Sequence, residues 1–430
     1  MLAAELRAAE RPNFVVIFVD NLGMNDTSLY GSEIPTPSVQ ALARSGITFD
    51  SWYSASPVCT PSRYGLMTGR YPNRSQDGLL RALGFLGTRD LDRGIRAGET
   101  TLAEVLRKAG YQTAAIGKWH LGHADPKFFP TRHGFDSFYG FMGGCVDYFT
   151  HRYGDAPSWY RDEKLVEETG YATDLFTAEA VRYLETRAPG RPFFLYLPYN
   201  APHYGKGWDP QKKKPVNVLQ PDAKYLARVQ HIPAGPRRDY AAMILAMDDG
   251  VGQVLSALRR THLEENTLVL WISDNGGMLD YGGNNFPFRG EIGTVFEGGV
   301  RVPAAARWPG RIPAGVLSRQ LGSSLDVFPT LSRLAGADVA GLPLDGVDLG
   351  AALFEKREIP RDLFWLMDDG SGALRRGAYK YVRGGKGEDL LFHLASDPGE
   401  KVNLASELTD TLAELKAAYA RTTQQFRGAH

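Results

Sequence analysis

Phe14-Val15-Val16-Ile17-Phe18-Val19 is an unbroken apolar run that stops abruptly at Asp20-Asn21-Leu22-Gly23. A short run of this composition reads as a strand, and the turn residues behind it end the strand. A helix is expected next, over 38–45, with Thr36 as N-cap, Pro37 in its first turn and Gly46 at its end. Strand, loop and helix make one βα unit.

The alternation recurs along the chain. Thr101-Leu102-Ala103-Glu104 reads as a capping box opening a helix that closes at Gly110, and a strand over 113–116 then leads into Gly117-Lys118-Trp119-His120. A strand over 193–199 delivers Asn200-Ala201-Pro202-His203. A long helix with apolar Ile244, Met247, Val251, Leu255 and Leu258 precedes a strand over 268–272, which delivers Ser273-Asp274-Asn275-Gly276. The pattern predicts an α/β fold, a large mixed and mostly parallel sheet sandwiched by helices. Turn chemistry explains any one polar strand end, but four together place a site along the carboxyl edge of the sheet.

After a helix near 325–335, the Gly- and Asp-rich stretch 336–348 reads as a linker. The organisation expected is a catalytic domain over 12–336 and a smaller C-terminal α+β subdomain over 349–430. Strands are expected there at 363–367, 379–383 and 390–393, with a final helix over 406–426.

The 430 residues carry 49 Lys plus Arg and 49 Asp plus Glu, so no global field recruits nucleic acid or an anionic membrane. The longest apolar runs fall well short of the roughly 20 residues that a bilayer requires, and no membrane span is expected. The start, residues 1–12, lacks the apolar centre of a secretory signal. The chain as it stands reads as cytoplasmic, or as periplasmic or secreted where a leader has been trimmed. Two cysteines make neither a disulfide framework nor a structural zinc site, and Cys145 reads as a small buried hydrophobe.

Cys59 reads differently. In Pro57-Val58-Cys59-Thr60-Pro61-Ser62-Arg63, Thr60 is a good N-cap and Pro61 a good first helical residue, so Cys59 should sit just ahead of a helix N-terminus, where negative charge is favoured. The stretch resembles the maturation signal Cys-X-Pro-Ser-Arg of the type I sulfatases of the alkaline phosphatase superfamily, matched at Cys59, Pro61, Ser62 and Arg63. The resemblance runs from Asn13 to about Leu404. Its further landmarks are the four strand ends quoted above, Glu297-Gly298-Gly299-Val300-Arg301-Val302-Pro303 and Asp397-Pro398-Gly399-Glu400. It implies an alkaline phosphatase-like fold and hydrolysis of a sulfate monoester. The nucleophile is then formylglycine, made from Cys59 by a formylglycine-generating maturase, with a divalent metal lowering the pKa of the attacking oxygen.

Metal ligation falls to Asp20, Asn21, Cys59, Asp274 and Asn275. Hard oxygen ligands from two strand ends suit calcium, with magnesium as the alternative, and the lack of clustered His and Cys argues against zinc. The resemblance gives Arg63 and Lys118 the task of holding the formylglycine oxygens and the sulfate, where negative charge gathers. His203 would protonate the leaving alcohol oxygen, and His120 would deprotonate the sulfated diol to expel sulfate. Substrate contacts are expected from Lys118, His203, His151 and Arg289. Loops with Asp147, Tyr148, His151, Trp208 and His231 are candidates for a sugar subsite, and the run Asp147 to His151 resembles that of sulfatases acting on sulfated sugars. The partner expected is a sulfated small molecule or glycan.

Two positions depart from the family pattern. Asn21 stands where a second Asp is usual, and Ile292, in Arg289-Gly290-Glu291-Ile292-Gly293-Thr294, stands where a sulfate-binding lysine is expected. One negative and one positive charge are lost together, and the two changes read as compensating. Glu291 either faces the substrate or is an ordinary exposed loop glutamate. Two other readings stay open on the sequence: a phosphoester or phosphonate hydrolase on the same scaffold, and a noncatalytic binder of sulfated glycans.

Overall fold

The computed structural model describes residues 11–85 and 90–426. Residues 1–10, part of the stretch expected to carry no signal, and the last four residues of the expected C-terminal subdomain lie outside these.

Strand β1 (Asn13–Asp20) is the opening run with two residues added. Val15, Ile17 and Val19 point into one core and Phe14, Val16 and Phe18 into another, all fully buried. A strand apolar on both faces must be covered on both, and it lies mid-sheet. The other strands of that sheet are β2 (Ile47–Phe49), β3 (Gln112–Lys118), β4 (Ser137–Phe141), β5 (Tyr160–Arg161), β6 (Lys164–Leu165), β7 (Phe193–Pro202), β8 (Thr267–Ser273), β9 (Ala304–Arg307) and β10 (Val316–Ser318). Their spatial order is β10-β2-β9-β8-β1-β7-β3-β4-β5-β6. The central block β8-β1-β7-β3-β4 is parallel, and antiparallel pairs flank it at β8 with β9 and at β4 with β5.

One face carries helices α1 (Pro37–Arg44), α4 (Ala172–Thr186) and α5 (Pro236–Arg260). The other carries α2 (Cys59–Thr68), α3 (Leu102–Lys108) and α6 (Val327–Leu334). By length and composition α5 could cross a membrane, which the continuous-run reading overlooked, but 78% of its apolar window is buried in the protein core. It is a core helix here.

The capping box at α3 forms as read: Thr101 Oγ1 accepts from the Glu104 N–H at 3.1 Å, and the Glu104 carboxylate accepts from the Thr101 N–H at 2.8 Å. The expected cap at α1 does not. Thr36 Oγ1 instead accepts from the Ser28 N–H, and Asp248 of α5 takes the Ser38 and Val39 N–H groups at 3.1 and 2.9 Å. A carboxylate from a packed helix caps better than a neutral hydroxyl, because it also meets the positive end of the helix dipole. The start of α2 also differs, since the helix begins at Cys59 itself and Thr60, already helical, accepts from the Leu83 N–H at 3.1 Å.

The stretch 336–348 contains no helix or strand, yet it is not a free linker. Val339, Leu342, Leu344 and Val347 pack on the core, and Asp345 pairs with Arg74 at 2.8 Å. Beyond it lies an antiparallel sheet of β11 (Asp362–Leu366), β12 (Gly372–Arg376), β13 (Tyr379–Arg383) and β14 (Asp389–His393). Its order follows the chain. One face packs on Tyr53, Val295 and Val300, and the other is covered by the terminal helix α7 (Thr409–Gln424) through Leu415, Ala418 and Tyr419.

The capping assignment predicts that Asp248→Ala destabilises the protein by about 1–2 kcal/mol. Asp248→Asn, which keeps an acceptor, should cost less. Urea unfolding of both variants checks this.

Candidate active site

The sheet registers bring four strand ends to one edge. Asp20 ends β1, Lys118 ends β3, Asn200 to His203 end β7, and Asp274 and Asn275 follow β8; these four strands are neighbours. Helix α2 meets them with its first turn, presenting Cys59 and, one turn on, Arg63. Ser62 fastens that turn by donating from Oγ to the Asp274 carbonyl. Close packing of the strands needs glycine before Lys118: a Cβ on Gly117 would lie 2.0 Å from the Pro198 carbonyl oxygen.

The cluster is dry. Asp20, Arg63, Lys118, Asp274 and Asn275 have no exposed surface, Asn21 and Asn200 have 1%, and Cys59 has 4%. Lys118 Nζ lies 2.6 Å from Asp20 Oδ2, and Arg63 Nη2 is 2.8 Å from Asp274 Oδ2 and 3.6 Å from Asp20. Burial works against the charge on Asp20, but Lys118, His203 and Arg63 outweigh it and hold its carboxyl well below the usual range. Burial and the facing Asp20 carboxylate push Asp274 up.

Among the described residues, several polar atoms here have no partner. Asp20 Oδ1, Asn275 Oδ1 and both amide atoms of Asn200 are buried without a hydrogen bond. Unpaired buried oxygens are costly, and two carboxylates with two amide oxygens form the hard donor set that a divalent cation completes. The residues present therefore fit a metal. Asn21 has a left-handed backbone, φ 60°, and its side-chain oxygen accepts from Asn275 Nδ2 at 2.7 Å. The buried Tyr240 hydroxyl donates to the Asn21 carbonyl and so helps hold that conformation.

Ligand atoms of Cys59, Asp20 and His203 lie within 4.8 Å of one another. Burial pushes the Cys59 thiol up to about 12, with Lys118 and Arg63 opposing too weakly, so the unmodified side chain is a protonated and poor nucleophile at neutral pH. His203 Nδ1 donates to the Tyr204 carbonyl at 2.8 Å, leaving Nε2 free, and burial with Lys118 brings it down to about 4. His120 Nε2 donates to the Leu83 carbonyl at 2.9 Å, leaving Nδ1 without a partner, and burial and Lys118 hold this ring neutral too.

Two of the expected substrate contacts are engaged in packing. His151 is buried against Trp159, ring centroids 4.3 Å apart, with Nε2 on the Gly170 carbonyl. Arg289 lies on the exposed side of its loop, its guanidinium 3.9 Å above the Phe296 ring and bonded to the Glu400 carbonyl. Both are occupied with packing. Of the other subsite candidates, Asp147 accepts from the Phe149 and Thr150 N–H groups, Tyr148 supports the His203 carbonyl, and His231 faces Glu33. Trp208 and His231 remain exposed among them. Glu291 takes the Leu279 N–H at 2.8 Å, the plainer of its two readings. The turn at 290–293 is fastened to the cluster, since the Gly293 N–H donates to the Pro57 carbonyl at 2.8 Å.

Tyr240 and Asn200 were missed as site residues. Asn200 stood in a quoted motif without a role; Tyr240 is one aromatic in a long apolar helix, and its sequence offers no signal. The landmarks at 297–303 and 397–400 prove structural: Glu297 and Glu400 both pair with the buried Lys380 of β13, at 2.9 and 3.0 Å.

A hydrolase that works with a divalent cation beside a helix-borne nucleophile is what this fold and site define. A family model described as Sulfatase matches residues 12–337. N-acetylgalactosamine-6-sulfatase of Canis lupus familiaris is 34% identical, over 95% of this chain and 84% of its own. Arylsulfatase A of Bos taurus is 33% identical, over 96% and 87%. The crystal structure of Ps i-CgsB in complex with k-i-k-neocarrahexaose superposes with a TM-score of 0.87 at 33% identity, covering 97% of this chain and 93% of that one. The chain belongs to the sulfatase family, within the alkaline phosphatase superfamily, and is a sulfuric ester hydrolase. The family brings a divalent metal and a formylglycine nucleophile in general terms.

Lys118→Met leaves the buried Asp20 carboxylate with one more distant cation, so the metal-free protein should lose about 3–5 kcal/mol of stability. A bound divalent cation supplies the missing charge, so adding the metal should recover much of the loss in thermal unfolding.

Proposed function

We propose that this protein hydrolyses a sulfate monoester of a carbohydrate, using formylglycine made from Cys59 and calcium held by Asp20, Asn21, Asp274 and Asn275. The observation that carries the reading is the seating of Cys59, at the first turn of α2, against two carboxylates, two cations and two neutral histidines in one buried cluster. The hydrated formyl group supplies an oxygen nucleophile, and the metal supplies the charge that keeps it ionised at neutral pH.

The chain's own residues do the rest. Arg63 and Lys118 place two fixed positive charges at the floor, where the sulfuryl oxygens gather negative charge in the transition state. With Nδ1–H committed to Tyr204, His203 can hold a proton only at Nε2, and an anionic ester bound nearby raises its affinity for that proton. From Nε2 the proton goes to the leaving alcohol oxygen. His120, with a free Nδ1, accepts the proton released when sulfate departs.

A sugar is favoured as the alcohol by the mouth of the site. Tyr204 lies 4.0 Å from the His203 ring and 4.9 Å from Tyr281, offering aromatic faces of the kind that sugar rings stack on. The names of the dog relative and of the carrageenan-oligosaccharide complex support the same class. Calcium is favoured over zinc by the all-oxygen donor set of the strand ends.

Mass analysis of the Cys59 peptide, from protein made alongside a formylglycine-generating enzyme, should find the aldehyde or its hydrate. The matured protein should hydrolyse 4-nitrophenyl sulfate much faster than 4-nitrophenyl phosphate. Cys59→Ala should abolish turnover, and chelation should remove it until calcium is restored. Equal rates on the phosphate ester, or unmodified Cys59 despite an active maturase, would overturn the reading. Ile292→Lys should lower KM for the sulfate ester by about three- to tenfold, because it restores a cation on the 290–293 turn; an unchanged KM counts against the compensation of Asn21 by Ile292.

A further inference from the structure

A cavity of 1570 Å³ lies away from the catalytic cluster. It is a groove between the β2–β10 edge of the large sheet and the C-terminal sheet, with Leu317 and Arg319 on one wall, Arg375 on the other and Phe286 at one end. That end adjoins the catalytic loops. Asn285, next to Phe286, exchanges hydrogen bonds with Gly277 at 2.8 and 3.0 Å, three residues after Asp274, and the Asn25 N–H donates to the Asn284 carbonyl.

Arg375 is the unusual member of this wall. It is only 7% exposed, yet among the described residues its one hydrogen bond runs from Nε to the Gly377 carbonyl, and the buried Nη1 has no hydrogen-bond partner. The nearest carboxylate oxygen, on Glu297, is 3.7 Å away and already bonded to Tyr53, with Lys380 on the same carboxylate. A guanidinium this buried ordinarily has a carboxylate or carbonyl on its fork. Burial pushes its pKa down to about 10, against the opposing pull of the Asp50 and Glu400 carboxylates.

The rest of the groove has the same bias. Arg319 at the rim forms no ion pair among the described residues, whereas Arg301 is neutralised by Asp50 and Arg376 by Asp362. Glu358 on the rim is exposed and opposes this charge. Phe286 and Leu317 are 67% and 60% exposed, large apolar surfaces that the fold does not use. Guanidinium groups with no carboxylate in hydrogen-bond contact, beside an exposed aromatic ring, suit a sugar ring that carries a sulfate or carboxylate.

We propose that this groove is a second binding site for an anionic carbohydrate chain, with Arg375 and Arg319 on a sulfate or carboxylate group and Phe286 against a ring. The inference rests on the carbohydrate sulfatase reading and deepens it: a polymer held here is tethered beside the catalytic loops, which raises its effective concentration at the site.

The test uses the matured full chain, dextran sulfate as a binding probe and 4-nitrophenyl sulfate as a small substrate. Arg319→Gln with Phe286→Ala should weaken dextran sulfate binding by about five- to tenfold, with kcat and KM for the small ester unchanged. Arg375→Lys, which keeps the charge but not the fork, should weaken it as well. Arg421→Gln, on α7, removes an equal charge elsewhere and should have no effect. Unchanged affinity in the Arg319/Phe286 variant, or an equal loss in Arg421→Gln, overturns the proposal; so does binding of poly-glutamate with loss of dextran sulfate preference, which would assign the groove to an acidic protein. Should the matured enzyme fail to cleave the aryl sulfate while dextran sulfate binding still depends on Arg319 and Phe286, the catalytic reading falls and the groove stands.

Discussion

Opposite charges packed together away from the surface govern this molecule. Asp20 and Asp274, at the ends of adjacent parallel strands, are each met by a buried cation from elsewhere in the fold, Lys118 from β3 and Arg63 from α2. Removing ionised groups from water costs several kcal/mol each, and only close pairing offsets it. The strands must therefore stop in register and α2 must dock with its first turn over the sheet edge. The apolar layers on both faces make that docking affordable. They bury both sides of β1 and leave its carboxyl end as the place where polar groups converge.

The same principle recurs at the join with the C-terminal sheet. Glu297, Glu400 and Lys380 are fully buried and mutually paired, and Tyr53 adds its hydroxyl to Glu297. Two sequence landmarks, far apart in the chain, thus turn out to be halves of one internal clamp. Their acidic residues serve adhesion between layers, while the acidic residues at the strand ends serve chemistry. Sequence alone does not separate these tasks, because both place a carboxylate in a short glycine-containing motif.

Legibility followed periodicity and local chemistry. The parallel strands were readable because burial on both faces leaves unbroken apolar runs, and the capping box at Thr101 was readable because its two hydrogen bonds join residues three apart. What depended on distant partners was not. The cap of α1 comes from Asp248, more than 200 residues on, and displaces the local candidate Thr36. Strand β12 carries two arginines and opens on glycine, so it has no alternation to detect. At the site, motif positions put Cys59, Arg63, Lys118, His120, His203 and the acidic strand ends within one cluster, whereas His151 and Arg289, placed by resemblance in loops, pack on aromatic rings. Tyr240 had to be seen in three dimensions, since only the fold carries α5 to Asn21.

The burial of Cys59 carries a consequence for timing. With 4% of its surface exposed and its helix pinned by Ser62 to the Asp274 carbonyl, the folded chain offers no purchase to a modifying enzyme. Oxidation of this side chain would have to occur while the segment is still extended, before α2 docks. The fraction of working molecules would then be decided by a race between collapse and catalysis in trans, and slower folding would raise specific activity rather than lower it.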